Sequence, residues 1–235
     1  MLNLSARFWQ EWLESLERKG ARLPACIRLI VTGSEKVNAE GVAIWRRLAP
    51  ANSALLNAYG VSEATITSTL YRVGIDQPQG AGSLPIGRPI ANTEGYLLDV
   101  NLNPVPIGLV GELFLASESL ARGYQGRADL TAERFIPNPF SSTPGARLYR
   151  TGDLARYLAE GNIEFIGRAD EQIKLRGYRI EPGEVEAVLR AAADVRDAAV
   201  LLRASASGDP SLIAYVTQKP AEENSVSAAL ETEPL

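Results

Sequence analysis

The 235-residue sequence predicts an α/β fold: a βαβ sheet unit, then a small distorted β-barrel, then a small α+β C-terminal subdomain. Continuous apolar runs at 27–31 and 54–57 flank an amphipathic segment at 39–48, which is the strand–helix–strand order of a βαβ unit. From residue 67 to residue 140, short strand patterns alternate with Gly, Pro and Asn turns, which favours a small barrel or a curled sheet. The last part of the chain shows one helix pattern followed by two strand patterns.

Several elements follow from local patterns. A first helix is predicted over 6–19, with one face formed by Phe8, Trp9, Trp12, Leu13 and Leu16, which we interpret as core. In the β-rich segment, strands are predicted at 67–73, 94–100 and 109–116, and a hairpin at 154–158 and 163–166.

The C-terminal part is predicted to hold a helix over 183–193, with Val185, Val188 and Leu189 facing inward. Strands at 198–202 and 212–217 are predicted to form a second hairpin. The acidic segment 221–235 lacks periodicity, and we expect it to be a flexible tail.

Composition excludes several function classes. The net charge of −4 argues against nucleic-acid binding, and no apolar run reaches the ~20 residues that span a bilayer. The chain has no histidine, which excludes Ser-His-Asp triads and histidine-ligated metal sites. Cys26 is the only cysteine and lies in an apolar run, which predicts a buried reduced thiol. The N-terminus has no signal-peptide pattern, so the cytoplasm is the expected location.

Two polar loops follow the predicted parallel strands, at 32–35 and 57–65. Ligands gather at the carboxyl ends of such strands. In the second loop, Tyr59 offers a flat aromatic face and Gly60 permits close backbone approach, while Ser62 and Glu63 add a hydroxyl and a carboxylate. This set can stack a purine, bind a phosphate oxygen and hold magnesium, although an ordinary polar turn has the same composition.

The richest stretch runs from 149 to 186 and reads YRTGDLARYLAEGNIEFIGRADEQIKLRGYRIEPGEVE. Asp153 follows Thr151-Gly152, which predicts a carboxylate at a strand end beside a sharp turn. Arg168 and Asp170 leave the predicted hairpin, and a charged extended run follows them.

These residues carry a resemblance to the adenylate-forming enzymes, and specifically to the adenylation (AMP-binding) domains of nonribosomal peptide synthetases. YRTGDL at 149–154 and GRADEQIKLRGYRIEPGEVE at 167–186 are similar to two of that family's signatures, in the same order. NAYGVSEAT at 57–65 resembles its NxYGPTE loop, with Val61 for proline and Ser62 for threonine. GELFLASESLARGYQG and LTAERFIPNPF are similar to further signatures, and the latter is more typical of peptide synthetases than of acyl-CoA ligases.

The resemblance implies ATP-dependent activation of an amino acid as its adenylate, with Mg²⁺, and transfer to the phosphopantetheine thiol of a separate carrier domain. Peptidyl carrier and condensation domains of one assembly line are the implied partners. It also implies a large and a small domain joined at a hinge. We therefore expect 1–169 to be the C-terminal part of the large subdomain (1–75 βαβ sheet, 76–169 barrel-like), and 170–220 to begin the small one.

The resemblance also implies residue roles. Tyr59 would stack on adenine, Asp153 and Arg168 would hold the ribose, and Asp170 would be the hinge. Ser62 would contact a phosphate and Glu63 would bind magnesium. The nucleotide-binding set is completed by Gly33, Ser34 and Gly60, and the amino-acid pocket would be lined by Ile30, Thr32, Ala58, Ile66 and Thr67. We interpret Arg122, Gly123 and Tyr124 as mostly structural.

Two family motifs are not among the 235 residues: the glycine-rich phosphate loop TSGTTGxPKG, and the catalytic lysine of an NGK motif. Lys219 lacks the preceding Asn-Gly. Loss of one charge-stabilising group commonly costs ~100-fold in rate, so we expect this chain to be an inactive fragment. Two alternatives stay open: an acyl-CoA ligase of the same superfamily, and a noncatalytic nucleotide-binding or scaffold module.

Overall fold

The computed structural model describes residues 1–74, 84–170, 172–175, 178–204 and 210–219. Its contacts divide the chain into two compact units, Met1–Tyr178 and Arg179–Leu235. The domain boundaries expected from the sequence stay predictions, and the tail at 221–235 lies outside the described residues.

The first unit begins with a five-stranded sheet, whose order is the order of the chain. Its strands are β1 (Leu2–Ser5), β2 (Leu29–Gly33), β3 (Ala54–Tyr59), β4 (Thr69–Val73) and β5 (Arg88–Pro89). The first three strands are parallel and the last two are antiparallel additions. The predicted βαβ unit is thus confirmed, while β1 was missed because four residues with two apolar positions give too short a pattern.

Two helices pack on this sheet, α1 (Ala6–Arg18) and α2 (Ala39–Leu48). Each begins at a side-chain cap, since Ser5 Oγ accepts from Phe8 N and Asn38 Oδ1 accepts from Gly41 N. Trp9, Leu13 and Trp45 are buried in their shared core.

Two predictions about this region are wrong. Phe8 is 57% exposed, because it lies about 100° around the helix from Trp9, beyond the edge of the buried face. Cys26 is exposed, because its apolar run turns at the surface before β2 begins at Leu29.

An antiparallel sheet completes the first unit. It contains β6 (Thr93–Leu98), β7 (Gly111–Ser117), β9 (Arg147–Tyr157) and β10 (Ile163–Arg168) in the order β10-β9-β7-β6, and β8 (Phe135–Pro137) pairs with β9. A helix that the sequence analysis missed, α3 (Ala128–Arg134), precedes β8. The hairpin of β9 and β10 is confirmed. Ile163 also exchanges backbone hydrogen bonds with Ile86 and Gly87, which joins the two sheets around one core.

Two three-residue strands, β11 (Ile173–Leu175) and β12 (Tyr178–Ile180), lie where the chain passes from the first unit to the second. The second unit contains α4 (Pro182–Arg190), β13 (Val195–Ala204) and β14 (Pro210–Gln218). The predicted hairpin of β13 and β14 is confirmed. Glu186 Oε1 accepts from Val200 N at 2.9 Å, and Arg190 binds the Ala198 carbonyl at 2.7 Å, so both hold the helix to the hairpin. Val188 is 74% exposed instead of inward, since it is turned about 100° from the half-buried Leu189.

Candidate functional site

The two loops that follow β2 and β3 are held against each other by glycine. Gly33 pairs with Ala58 in the parallel register, and a Cβ on Gly33 would overlap the Ala58 carbonyl oxygen. Gly60 is equally restricted, because a Cβ there would overlap the carbonyl oxygen of Ile66. Only glycine therefore permits this approach, which brings Gly33 and Gly60 to one edge of the sheet.

The loop after β3 folds back tightly through a short 3-10 helix at Ser62–Ala64. Thr65 and Ile66 both have left-handed backbone angles, with φ of 56° and 70°. This turn leaves the Ser62 side chain exposed and buries Glu63. The loop thus presents a hydroxyl to solvent and holds a carboxylate inside.

At the centre of the site lies Asp153, which is fully buried. The Tyr59 hydroxyl donates to Asp153 Oδ2, and Arg168 Nη1 donates to Oδ1 at 2.6 Å. These side chains come from β3, β9 and β10, and Tyr59 precedes Asp153 by 94 positions. The structure therefore gathers three predicted nucleotide-binding residues into one hydrogen-bonded cluster.

The strand environment fixes the Asp153 backbone. Asp153 lies inside β9 and not at a strand end as predicted, because Gly152, with φ of 75°, bends the strand without ending it. Thr151 Oγ1 donates to the Leu113 carbonyl at 2.6 Å and accepts from Asp153 N at 3.0 Å. The cross-strand register of the hairpin places Arg168 opposite Asp153.

Arg168 links Asp153 to Asp170. Its Nε and Nη2 donate to the two oxygens of Asp170, each at 2.7 Å. Burial lowers the pKa of Arg168, but the hydrogen bond to Asp170 and the charges of Asp153 and Asp170 outweigh it and raise that pKa overall. Burial likewise raises the pKa of Asp170, and its bonds to Arg168 outweigh burial and hold the pKa below its usual value. The guanidinium is thus shared by two carboxylates.

Tyr59 is a proton donor throughout the neutral range. Burial raises the pKa of its phenol well above the usual value, and the adjacent Asp153 carboxylate raises it further. The Tyr59 ring is 8% exposed and also lines a cavity beside the cluster.

That cavity contains four of the predicted residues. They are Ser34, Ala58, Tyr59 and Gly60, and the remaining wall includes Asn57, Ile86 and Phe165, which sequence reasoning missed. Phe165 carried no signal, because it reaches the cavity from a hairpin more than a hundred positions away in sequence. Asn57 was visible as the first residue of the polar loop, and its side-chain amide donates to the Pro85 carbonyl at 2.8 Å.

The remaining predicted pocket residues do not share one surface. Ile30 is fully buried in the core beneath α1 and α2, and Ile66 is 77% exposed. Thr67 is half-buried. Thr32 is fully buried, and its hydroxyl has no hydrogen-bond partner among the described residues. A polar ligand group beside β2 would satisfy that hydroxyl.

Glu63 is the predicted magnesium ligand, and its surroundings fit a cation that is bound mainly by substrate. It is 8% exposed, and Tyr124 OH donates to its Oε1 at 2.7 Å. Among the described residues, no group of three His, Cys, Asp or Glu side chains could hold a metal. Magnesium commonly uses one or two carboxylates and completes its shell with phosphate oxygens and water, so a single glutamate suits it.

The comparisons with known proteins agree with this geometry. The family model of the AMP-binding enzymes matches residues 1–125. A linear gramicidin synthase of Brevibacillus parabrevis is 50% identical over 210 residues, covering 86% of this chain and 4% of that protein. Malpibaldin synthetase of Mortierella alpina is 42% identical, covering 94% of this chain and 4% of its own length. The chain therefore spans a small fraction of these relatives.

Solved structures give the same result. PA1221, an NRPS protein containing adenylation and PCP domains, superposes with a TM-score of 0.75 at 29% identity, over 92% of this chain and 42% of that one. NpsA-ThdA, an artificially fused adenylation-PCP di-domain from Klebsiella oxytoca, gives 0.76 at 29% identity, over 96% of this chain and 40% of its own. Within the part of the chain that the structure describes, no helix has the length and apolar character needed to cross a membrane. The chain belongs to the family of AMP-binding enzymes, as part of an adenylation domain of the kind found in nonribosomal peptide synthetases.

Proposed function

We propose that this chain supplies part of the site at which an adenylation domain activates an amino acid for nonribosomal peptide synthesis. ATP and the amino acid form an aminoacyl-adenylate and release pyrophosphate, and the acyl group then passes to the phosphopantetheine thiol of a carrier domain. The observation that carries the proposal is the meeting of Tyr59, Asp153 and Arg168 beside a cavity lined by Ser34 and Gly60.

Asp153 is the proposed ribose acceptor. A carboxylate offers about four lone-pair positions, and Tyr59 and Arg168 occupy one on each oxygen. Two ribose hydroxyls can donate to the remaining positions once the buried carboxylate becomes reachable. Arg168 neutralises the Asp153 charge throughout, so binding does not leave an uncompensated charge in the interior.

Tyr59 and the glycines form the proposed adenine site. The Tyr59 ring lines the cavity while its hydroxyl is bound to Asp153, so the base and the ribose would be recognised by two ends of one linked pair. Gly33 and Gly60 keep the wall free of side chains, which lets a planar base approach the backbone. Ser62 is exposed at the loop and is the proposed phosphate contact.

Glu63 is the proposed magnesium ligand, and bound Mg²⁺ would neutralise phosphate charge in the reaction. The amino-acid pocket is proposed to involve Thr32, Ala58 and Thr67, since Ile30 lies in the core and Ile66 at the surface. Asp170 is the proposed hinge. The carrier and condensation domains of an assembly line are the proposed partners, and the cytoplasm the proposed location.

We also propose that the 235 residues alone do not form adenylate. They contain neither the glycine-rich phosphate loop nor the Asn-Gly-Lys motif of the family. Removal of a single group that stabilises transition-state charge costs ~100-fold or more.

The test is amino-acid-dependent pyrophosphate exchange by the full-length protein that carries these residues. Asp153→Asn keeps the side-chain shape and removes the charge, and we expect it to lower exchange at least tenfold and to weaken AMP binding. Asp129→Asn, an exposed aspartate on α3, is the control and should change neither. Full exchange and full AMP affinity in Asp153→Asn would remove the ribose assignment.

The same assay separates the alternatives. Exchange driven by fatty or aryl acids, and not by amino acids, would indicate an acyl-CoA ligase. AMP binding without exchange with any acid would indicate a noncatalytic nucleotide-binding module.

A further inference from the structure

Tyr124 ends a chain of hydroxyl groups that leads to Glu63. Its hydroxyl donates to Glu63 Oε1 at 2.7 Å and lies 3.3 Å from the hydroxyl of Tyr149, which is fully buried. A phenol has a single proton, so when Tyr124 donates to the carboxylate, Tyr149 must donate to Tyr124. The order of donation is therefore Tyr149 to Tyr124 to Glu63.

The backbone at Tyr124 is fixed by α3. Tyr124 N donates to Thr131 Oγ1 at 2.9 Å, and Thr131 Oγ1 also donates to the Arg127 carbonyl at 2.7 Å. The preceding Gly123 has φ of 150°, and a Cβ on it would lie 2.7 Å from Thr131 Oγ1. The ring of Tyr124 meets Phe135 edge-on, with centroids 5.7 Å apart. Hydrogen bonds and packing thus leave the phenol one orientation.

The loop that carries Glu63 is joined to the Tyr124 segment by two more bonds. Ala121 N donates to the Glu63 carbonyl at 2.8 Å, and Thr65 Oγ1 donates to the Ser119 carbonyl at 2.6 Å. Arg147 binds the carbonyls of Ala121 and Arg122 at 2.9 and 3.0 Å, which anchors the segment to β9. The 117–124 segment therefore acts as a support for the 62–65 turn.

We propose that Tyr124 is a positioning residue for the Glu63 carboxylate, acting on its affinity for Mg²⁺. This inference rests on the proposed function, in which Glu63 binds the metal. A hydrogen bond to one oxygen fixes the plane of the carboxylate and assigns coordination to its other lone pairs. Groups that orient a metal ligand in this way typically change metal affinity 10–100-fold when they are removed. The segment that sequence reasoning treated as structural thus has a part in the site.

The experiment measures binding and not turnover. In the full-length protein, the Kd for ATP is measured by calorimetry with and without Mg²⁺, and the ratio of the two reports how strongly the metal and the nucleotide bind together. Tyr124→Phe keeps the ring against Phe135 and removes the hydroxyl. We expect that variant to retain the metal-free Kd and to lose ~10-fold of the enhancement by Mg²⁺.

Tyr157→Phe is the matched control, because its hydroxyl donates to the Gly95 carbonyl at 2.7 Å, away from Glu63. It should leave the enhancement unchanged. An unchanged enhancement in Tyr124→Phe would overturn the inference, even if the variant unfolds more easily, since a purely structural role alters stability alone. Glu63→Gln separates the two levels: if it too leaves the enhancement intact, the metal assignment itself fails.

Discussion

Gly152 and Arg168 lie so close together that a Cβ on the glycine would come within 2.7 Å of the guanidinium Nη2. The same Cβ would lie 2.8 Å from Asp170 Oδ2. The bend that carries Asp153 into the interior is therefore also the surface on which the Arg168–Asp170 pair rests.

Gly152→Ala is expected to destabilise the first unit and to disturb the cluster around Asp153. An alanine there meets both an unfavourable φ of 75° and the two charged groups, and strained backbone alone costs about 1–3 kcal/mol. Gly145→Ala is the matched control, because its φ is 77° and nothing lies within 4 Å of its Cβ position. Urea unfolding should show a larger loss for Gly152→Ala. Equal losses would show that the contact with Arg168 carries no energy.

Tyr59→Phe is expected to cost more stability than Tyr157→Phe. The Tyr59 hydroxyl donates to a buried carboxylate, whereas that of Tyr157 donates to a backbone carbonyl. Hydrogen bonds to charged groups contribute about 1.5–3 kcal/mol, against about 0.5–1.5 kcal/mol for neutral ones. The measurement is the difference in unfolding free energy between each variant and the parent. The reverse ranking would contradict the buried, charged character of the Tyr59–Asp153 bond.

The contribution of Asp170 is expected to disappear at low pH. Its folded-state pKa lies below its usual value, so its pairing with Arg168 stabilises the fold fully above the unfolded pKa of about 3.9 and is lost as the pH falls through the folded value. Asp170→Asn should therefore unfold at lower urea than the parent at pH 7, and the gap should shrink below about pH 4. A gap that stays constant from pH 7 to pH 3 would show that the ion pair is not its cause.

Gly41→Ala is expected to destabilise the protein, although alanine is normally the better helix former by about 1 kcal/mol. A Cβ at this position in α2 would lie 2.7 Å from the ring of the buried Trp9, which cannot move without reopening the core. Gly183→Ala in α4 has open space around it and should be neutral or stabilising. Thermal unfolding of both variants tests the contrast, and a stabilised Gly41→Ala would mean that α1 and α2 are loosely packed.

The sequence predicted those parts of the fold that repeat a local pattern. Strand β2, helix α2 and the hairpin of β9 and β10 each carry enough residues for a period to show, and all three are present. Strand β1 could not be found in four residues, and exposure at the edge of a helix face, as for Phe8, depends on what packs beside it.

The site was predictable as a set of residues but not as a set of contacts. Tyr59, Glu63, Asp153 and Arg168 were identified from motifs, yet nothing local indicates that the Tyr59 hydroxyl meets Asp153 across 94 positions. Tyr124 was interpreted as structural, because its link to Glu63 spans 61 positions and depends on the turn that buries the carboxylate. Long-range register decides such contacts, and it is a property of the assembled sheets.

The separation of Tyr59 and Asp153 also has a kinetic consequence. The cluster forms only after the intervening chain has closed, and such long closures are completed late in folding because their entropy is lost before any contact compensates for it. A partly folded chain therefore has no nucleotide site, and a nucleotide that binds the finished cluster draws the population toward the native state by mass action. Under the proposed function, the substrate would also protect the protein, and its binding would report that folding is complete.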